Sequence, residues 1–390
     1  MRWQSAAAVA VLLSAGLAAC RDATTPDVPA APPAVSGTVV PGQYIVVFRG
    51  GVTDPAGLST RMAKAQGGTI RFTYTSALRG FAARLSDDAV RALEQDPLVA
   101  YVEPDREFRI DVTQSMNASG DPWGLDRIDQ TALPLSRTYT YTATGAGVHA
   151  YIIDTGIWTM TADFGGRANN VYDAFGATGE DCNGHGTHVS GTIGGATYGV
   201  AKGVSLHGVR VLSCGGVGLT SQIIAGIDWV RQNAVKPAVA NMSLGGGLST
   251  ALNDATTNLW NSGVFVAVAA GNDNVDACTA SPASATGAFT VAASEKTDAK
   301  ASYSNWGNCV EAYAPGSAIV SDYLLGTTNS LSGTSMASPH VAGVAVLYKA
   351  TFGDAPSATV SNWIIANATT GVITGNPGGT PNRLLGKSTL

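Results

Sequence analysis

Charge is in short supply in this chain. Only 13% of its 390 residues are Asp, Glu, Lys or Arg, and the balance is slightly acidic, at −5. An average globular chain carries about 25% charged residues. No block of Lys and Arg occurs, which argues against nucleic-acid binding by phosphate neutralisation. With 45% hydrophobic residues, the chain is not a disordered polyampholyte either. Aromatic residues are 7% and scattered, so no stacking platform for sugars is present. No apolar run reaches the ~20 residues of a membrane span. There are five cysteines and no C-x-x-C spacing, which argues against zinc ligation or a thioredoxin-like role. Gly245-Gly246-Gly247 lacks the Lys-Ser/Thr that follows in a phosphate loop. Glycine is abundant, at 47 residues, which implies many tight turns and close backbone approaches. The length points to about two domains.

The first residues predict export. Arg2 precedes an apolar stretch, Ala6 to Ala19, of signal-peptide length that ends in small residues. Leu17-Ala18-Ala19-Cys20 resembles the bacterial lipobox, which implies a lipid on Cys20 and a membrane link through that anchor only. Residues 1–19 are thus expected to be a lipoprotein-type signal. Residues 20–36, rich in Pro, Ala and Thr, are expected to be a flexible tether. The remaining cysteines, Cys182, Cys214, Cys278 and Cys309, allow three pairings and suit structural disulfides in an exported protein.

Two globular parts follow. Residues 37–110 read as β-α-β-β-α-β, a ferredoxin-like α+β pattern. Its strands are Gln43–Phe48, Thr69–Tyr74, Gly80–Leu85 and Val99–Val102. Its helices are Leu58–Gln66 and one started by Ser86 and closed by Pro97. About 70 residues make a marginal core on their own. Residues 111–121 are polar and aperiodic, and read as an exposed, cleavable connector. In residues 122–390, continuous apolar runs alternate with helical stretches. The runs are Val148–Ile153, Leu206–Val211, Val239–Met242 and Val264–Ala269, and the clearest helices are Ile223–Gln232 and Val341–Tyr348. This predicts an α/β domain with one central, mainly parallel sheet flanked by helices.

Three islands carry the chemistry. Asp154, in Ile152-Ile153-Asp154-Thr155-Gly156, stands at the end of a buried strand, where α/β sheets bind ligands. Asn183-Gly184-His185-Gly186-Thr187-His188 offers two histidines but not the H-E-x-x-H metal pattern. Gly333-Thr334-Ser335-Met336-Ala337-Ser338-Pro339-His340 opens an apolar helix, with Ser335 near its positive end. Alone, each fits a capping or packed residue. Together they supply a hydroxyl, an imidazole to deprotonate it, and a carboxylate to orient the imidazole.

These islands, in the order Asp, His, Ser, resemble the three signatures of the subtilisin-like serine proteases over nearly all of residues 122–390. The resemblance implies Ser335 as nucleophile, His185 as general base and acid, Asp154 as its orienter and His188 as structural. Ala269-Ala270-Gly271-Asn272 matches the segment that bears the oxyanion donor, which implies that role for Asn272. Gly216, Val217 and Gly218, with Ser243, Leu244 and Gly245, resemble the two edges that pair with an extended peptide. Ala270 and Gly271 give that pocket an uncharged wall, so apolar or aromatic side chains are expected before the scissile bond.

Trp123-Gly124-Leu125-Asp126-Arg127-Ile128-Asp129-Gln130 resembles the mature start of the proteinase K-like, aqualysin-type enzymes. That subgroup implies Cys182–Cys214 and Cys278–Cys309 disulfides. It also implies structural calcium held by Glu311 with the carbonyls of Thr286 and Ala288. Asp126, Asp129 and Gln130 match part of a second calcium site, where Ser136 and Thr138 stand at the remaining side-chain positions. Residues 37–110 resemble the inhibitory propeptide, with self-cleavage expected within Ile110–Asn117. The expected whole is an exported endopeptidase acting on proteins and peptides, held inactive by its own propeptide and monomeric when mature. A catalytically silent lipoprotein with a peptide-binding domain is the other reading. An α/β-hydrolase esterase would need Gly-x-Ser-x-Gly and the order Ser, Asp, His, and neither is present.

Overall fold

The computed structural model describes residues 39–109, 113–114 and 122–390. The expected signal, Cys20 and the tether lie outside them, as does most of the connector.

The first strand shows why the N-terminal part needs a neighbour. β1 (Val39–Phe48) is followed by α1 (Pro55–Ala65), β2 (Thr69–Tyr74), β3 (Gly80–Arg84), α2 (Asp87–Glu94) and β4 (Val99–Arg109). The antiparallel sheet runs β2-β3-β1-β4. α1 starts earlier than the pattern predicts, because Asp54 caps it and Pro55 suits a first helical position. Ser86 caps α2 through Ala89 N–H, as expected. In Ile45-Val46-Val47-Phe48, alternate side chains face opposite sides of the sheet. Val46 and Phe48 join Leu58, Phe81 and Leu93 under the domain's own helices. Ile45 and Val47 join Tyr74 and Leu78 in a core shared with Ile223, Ile227 and Leu252 of the larger part. The run is continuously apolar because both faces are covered.

The larger part begins with β5 (Thr113–Gln114), α3 (Trp123–Asp129), β6 (His149–Asp154), β7 (Ala168–Asp173), α4 (His185–Gly194), β8 (Ser205–Arg210) and β9 (Val217–Leu219). It continues with α5 (Thr220–Asn233), β10 (Ala238–Met242), β11 (Gly246–Gly247), α6 (Thr250–Asn261), β12 (Phe265–Ala269), β13 (Ala280–Ser281), β14 (Phe289–Ser294) and β15 (Ala312–Pro315). It ends with β16 (Ile319–Asp322), β17 (Thr328–Ser332), α7 (Thr334–Phe352), α8 (Ser357–Asn367), β18 (Thr369–Thr370) and β19 (Arg383–Leu384).

The central sheet runs β18-β19-β15-β14-β12-β10-β6-β8-β7, parallel except for β18 against β19. Ile152, Val239 and Val291 face the side buried with Val189 of α4 and Val341 of α7. Ile153, Ala240 and Val266 face α5 and α6. Strands buried on both faces read as unbroken apolar runs, as predicted.

α7 starts at Thr334, where its opening motif places it, and passes through Pro339. A proline there leaves the carbonyl four residues back without its helical donor. That carbonyl is Ser335 O, and the Ser243 hydroxyl donates to it at 2.7 Å. The connector also departs from expectation. Thr113 and Gln114 are not irregular but pair antiparallel with Ser332 and Leu331 of β17. β4 likewise runs past Val102 to Arg109, because its last residues pair with β9. The sheet of the N-terminal part therefore continues into the larger one.

Candidate active site

Asp154 ends β6, fully buried, and its Oδ1 accepts from Thr155 N–H and meets His185 Nδ1 at 2.7 Å. His185 opens α4 and is 2% exposed. Gly184 before it has φ +102°, and a Cβ there would lie 2.3 Å from the Tyr323 ring, so the turn into α4 requires glycine. His185 Nε2 has no hydrogen-bond partner among the described residues. Ser335 is in the first turn of α7, which packs beside α4, and its hydroxyl donates to Ser243 O at 3.3 Å. Catalytic hydrogen bonds of an unliganded site are often loose.

Asn272 lines the same cleft as Ser335. Its Oδ1 accepts from Thr334 N–H at 2.8 Å and Thr334 Oγ1 at 2.9 Å, which makes the amide nitrogen its donor end. Gly271 beside it has φ +101°, and a Cβ would stand 2.4 Å from Asn305 Nδ2. The cleft has a volume of about 220 Å³, and Leu244, Gly245, Ala270 and Gly271 line it. Its lining is not wholly uncharged, because Asp273 and Glu107 also border it. Glu107 comes from β4, whose residues Glu107, Phe108 and Arg109 pair with Leu219, Gly218 and Val217. The tail of the N-terminal part thus lies as a strand along the β9 edge.

His188 is fully buried, and burial, then the nearby His185, pushes it down to about 3. Neutral at any working pH, it hydrogen-bonds Ile319 O at 2.9 Å and ties α4 to β16. Asp181 was not singled out in the sequence. Buried, it accepts from Thr155 Oγ1, Asn183 N–H, Gly184 N–H and both Thr187 N–H and Oγ1 at 2.6–3.0 Å. It fastens the Asp154 loop to the start of α4. The only sequence signal was an acid four residues before His185.

Two carboxylates of β4 meet helix starts. Asp105 accepts from Ser221 N–H at 2.9 Å and from the Ser221 hydroxyl, at the start of α5. Glu103 accepts from Ala251 N–H at 3.2 Å and from Ser249 Oγ, at the start of α6. Anions are favoured there by unsatisfied N–H groups and the helix dipole. Burial raises both carboxyls.

Cys182–Cys214 and Cys278–Cys309 are bonded, the first joining the approach to α4 with that to β9. Glu311 precedes β15 and accepts from Thr290 N–H at 2.5 Å. Burial pushes its carboxyl up to about 7. Thr286 is exposed and Ala288 buried, just before β14. Asp126, Asp129 and Gln130 belong to α3 and its end, not to the cleft lining.

A carboxylate-held imidazole, a serine at a helix start and an amide donor form the set that acyl transfer uses. The subtilase family model matches residues 145–387, and the peptidase inhibitor I9 model matches residues 43–111. The chain belongs to the subtilase family. An extracellular serine proteinase of Thermus sp. (strain Rt41A) is 50% identical over 370 residues, covering 89% of each chain. Proteinase R of Parengyodontium album is 42% identical, covering 89% of each. A crystal structure of a cold adapted subtilisin-like serine proteinase matches with a TM-score of 0.67 and 50% identity, over 69% of this chain and 98% of that one. This subtilase is an exported serine proteinase of the proteinase K-like kind with an I9 propeptide. Among the described residues no helix is long and apolar enough to cross a membrane.

Proposed function

We propose that this subtilase cleaves peptide bonds through Ser335, His185 and Asp154, first in itself and then in extended protein substrates. The observation that carries the assignment is the 2.7 Å contact of His185 Nδ1 with buried Asp154, which leaves Nε2 as the ring's base. As Ser335 Oγ attacks the scissile carbonyl, Nε2 takes its proton. The oxyanion is met by Ser335 N–H and Asn272 Nδ2. Collapse returns the proton to the leaving amine, and water then releases the acyl group by the same steps. Asp154 fixes the tautomer and stabilises the imidazolium throughout. The substrate lies as a strand between Gly216–Gly218 and Ser243–Gly245. The uncharged wall at Ala270 and Gly271 favours apolar and aromatic side chains before the cut.

In the precursor the place of the substrate is taken by β4. Residues 37–110 act as inhibitor, 111–121 as the processing linker and 122–390 as the peptidase. The cut within Ile110–Asn117 is made by Ser335 itself. It separates the catalytic part from anything attached through Cys20. Pairing of Glu107–Arg109 with β9, just upstream of that segment, and of Thr113–Gln114 with β17, within it, supports this.

Calcium beside Glu311 fits the residues present. The carboxylate is half-buried and accepts from Thr290 N–H, and hard oxygen ligands suit this cation. The carbonyls of Thr286 and Ala288 would complete its protein ligands, and the ion would brace the loop before β14. No catalytic step uses it.

Intact mass of the full precursor over time, beside its Ser335→Ala variant, tests the proposal. The expected result is a cut within Ile110–Asn117 in the unsubstituted chain and none in the variant. A variant that is cut at the same rate would remove Ser335 from the role.

A further inference from the structure

We infer that the loop following α3 is built like a cation cage but filled by the chain's own ammonium group, Lys387 Nζ, so that this end of the enzyme takes up no calcium. The family resemblance would put a second calcium among Asp126, Asp129 and Gln130. The oxygens of those residues are already engaged by protein donors. Asp126 Oδ1 accepts from Ser136 N–H at 3.1 Å and Ser136 Oγ at 2.9 Å, and its Oδ2 accepts from Arg137 N–H at 2.6 Å. Asp129 Oδ2 accepts from Thr140 N–H at 2.7 Å. Its Oδ1 accepts from the Thr140 hydroxyl at 2.9 Å and from Lys387 Nζ at 2.9 Å. Gln130 Oε1 accepts from Ser136 N–H at 2.9 Å, while its Nε2 donates to Pro134 O at 2.9 Å and to Ala132 O.

Calcium needs six to eight oxygens with lone pairs aimed at one centre. Here the lone pairs are aimed at N–H and O–H groups. Where further ligand side chains would stand, Ser136 and Thr138 hydrogen-bond each other at 2.7 Å. The charge is also already present. The Lys387 and Asp129 side chains are 4% and 8% exposed, so their ion pair is shielded from solvent and salt. Lys387 Nζ also donates to Leu390 O at 3.0 Å and lies 5.8 Å from the Tyr139 ring centroid. A divalent cation entering this loop would meet that ammonium group. The lysine joins segments far apart in sequence, since its N–H also donates to Ile128 O at 2.9 Å.

The test counts calcium by equilibrium dialysis and follows melting by calorimetry, with and without calcium. It uses the full chain in a Ser335→Ala background, so that no variant digests itself. Asp129→Asn is expected to melt lower by the same amount in calcium and in chelator, with no change in bound calcium. Lys387→Met is expected to show a larger calcium-induced rise in melting temperature than the parent, since it leaves the Asp129 carboxylate without its cation. Glu311→Gln is expected to lose one bound calcium, which separates failure of the Glu311 assignment from failure of this one. One calcium fewer in Asp129→Asn, or a smaller calcium-induced rise in its melting temperature, overturns the inference. So does a Lys387→Met protein whose melting temperature responds to calcium no more than the parent's does. Should Lys387→Met not fold, Asp129→Asn decides alone.

Discussion

At the scale of single residues, the division of labour within Asn272 sets its expected effect. Its Oδ1 is held by Thr334, so its amide nitrogen is oriented before substrate arrives. Preorganised donors act on the charge of the transition state more than on the ground state. Asn272→Ala is therefore expected to lower kcat by about 10²–10³ with KM nearly unchanged, a magnitude that this family itself set for such a donor. Steady-state kinetics on a chromogenic peptide checks it. Asp181 acts differently, because it touches no reacting group but ties Thr155, next to Asp154, to the backbone that starts α4. Asp181→Asn turns one acceptor oxygen into a donor facing N–H groups. Misplacement of a catalytic group by an ångström costs up to about 10² in rate. The expected outcome is a lower kcat, a shifted acid limb of the kcat/KM profile and a lower melting temperature. An unchanged pH profile would confine Asp181 to stability.

At the scale of elements, the end of β16 carries an unusual carboxyl. Asp322 is buried, and its Oδ2 has no partner among the described residues. Burial first, and then Asp163, push it up to about 8, while Arg167 opposes this weakly. Arg167 itself donates to the carbonyls of Gly194, Val204 and Asp163. Tyr198 is a further titratable neighbour. The folded value exceeds the unfolded one of about 4. The folded state thus holds a proton the unfolded chain has lost, and this group's contribution falls as pH rises through about 8. Asp322→Asn cannot ionise. It is expected to flatten the fall in melting temperature between about pH 4 and 8 relative to the parent, as a calorimetric pH series would show.

The same scale shows what could be read from the chain. The placement of Asp154 at a strand end, in contact with His185, and of Ser335 at a helix start was legible, because the proposed chemistry calls for those residue types at such ends. The strands of the central sheet were legible because two-sided burial writes unbroken apolar runs. β4 beyond Val102 was not, because Glu103, Asp105 and Glu107 look like solvated connector. Two of those charges are caps for α5 and α6, helices more than a hundred residues away. What was not legible is how α7 tolerates Pro339, since the deficit is met by a hydroxyl on another element. The closure around Asp126 and Asp129 was equally illegible, since Lys387 lies near the other end of the sequence.

For the whole molecule, the N-terminal part is held by a shared apolar core, the β4–β9 pairing, the two capping carboxylates of β4, and hydrogen bonds that include Ser76 and Ala77 N–H to Asp228 and Tyr101 Oη to Asp254. Removing a helix cap costs about 0.5–2 kcal/mol, or about 2- to 30-fold in an equilibrium. Asp105→Ala is expected to speed the appearance of activity after processing by a factor in that range, with kcat of the mature enzyme unchanged. Delay between the mass change and peptide hydrolysis measures it. An unchanged delay would mean that the Asp105 cap does not set release.

When β4 leaves, β9 is left with an open row of backbone N–H and C=O groups. Such a row accepts any chain able to lie straight against it, whatever its sequence. A native protein's own strands and helices keep those groups engaged, so it qualifies only where it frays or opens. Which bonds this enzyme cuts, and how fast, is then governed less by its pocket than by the local looseness of its prey.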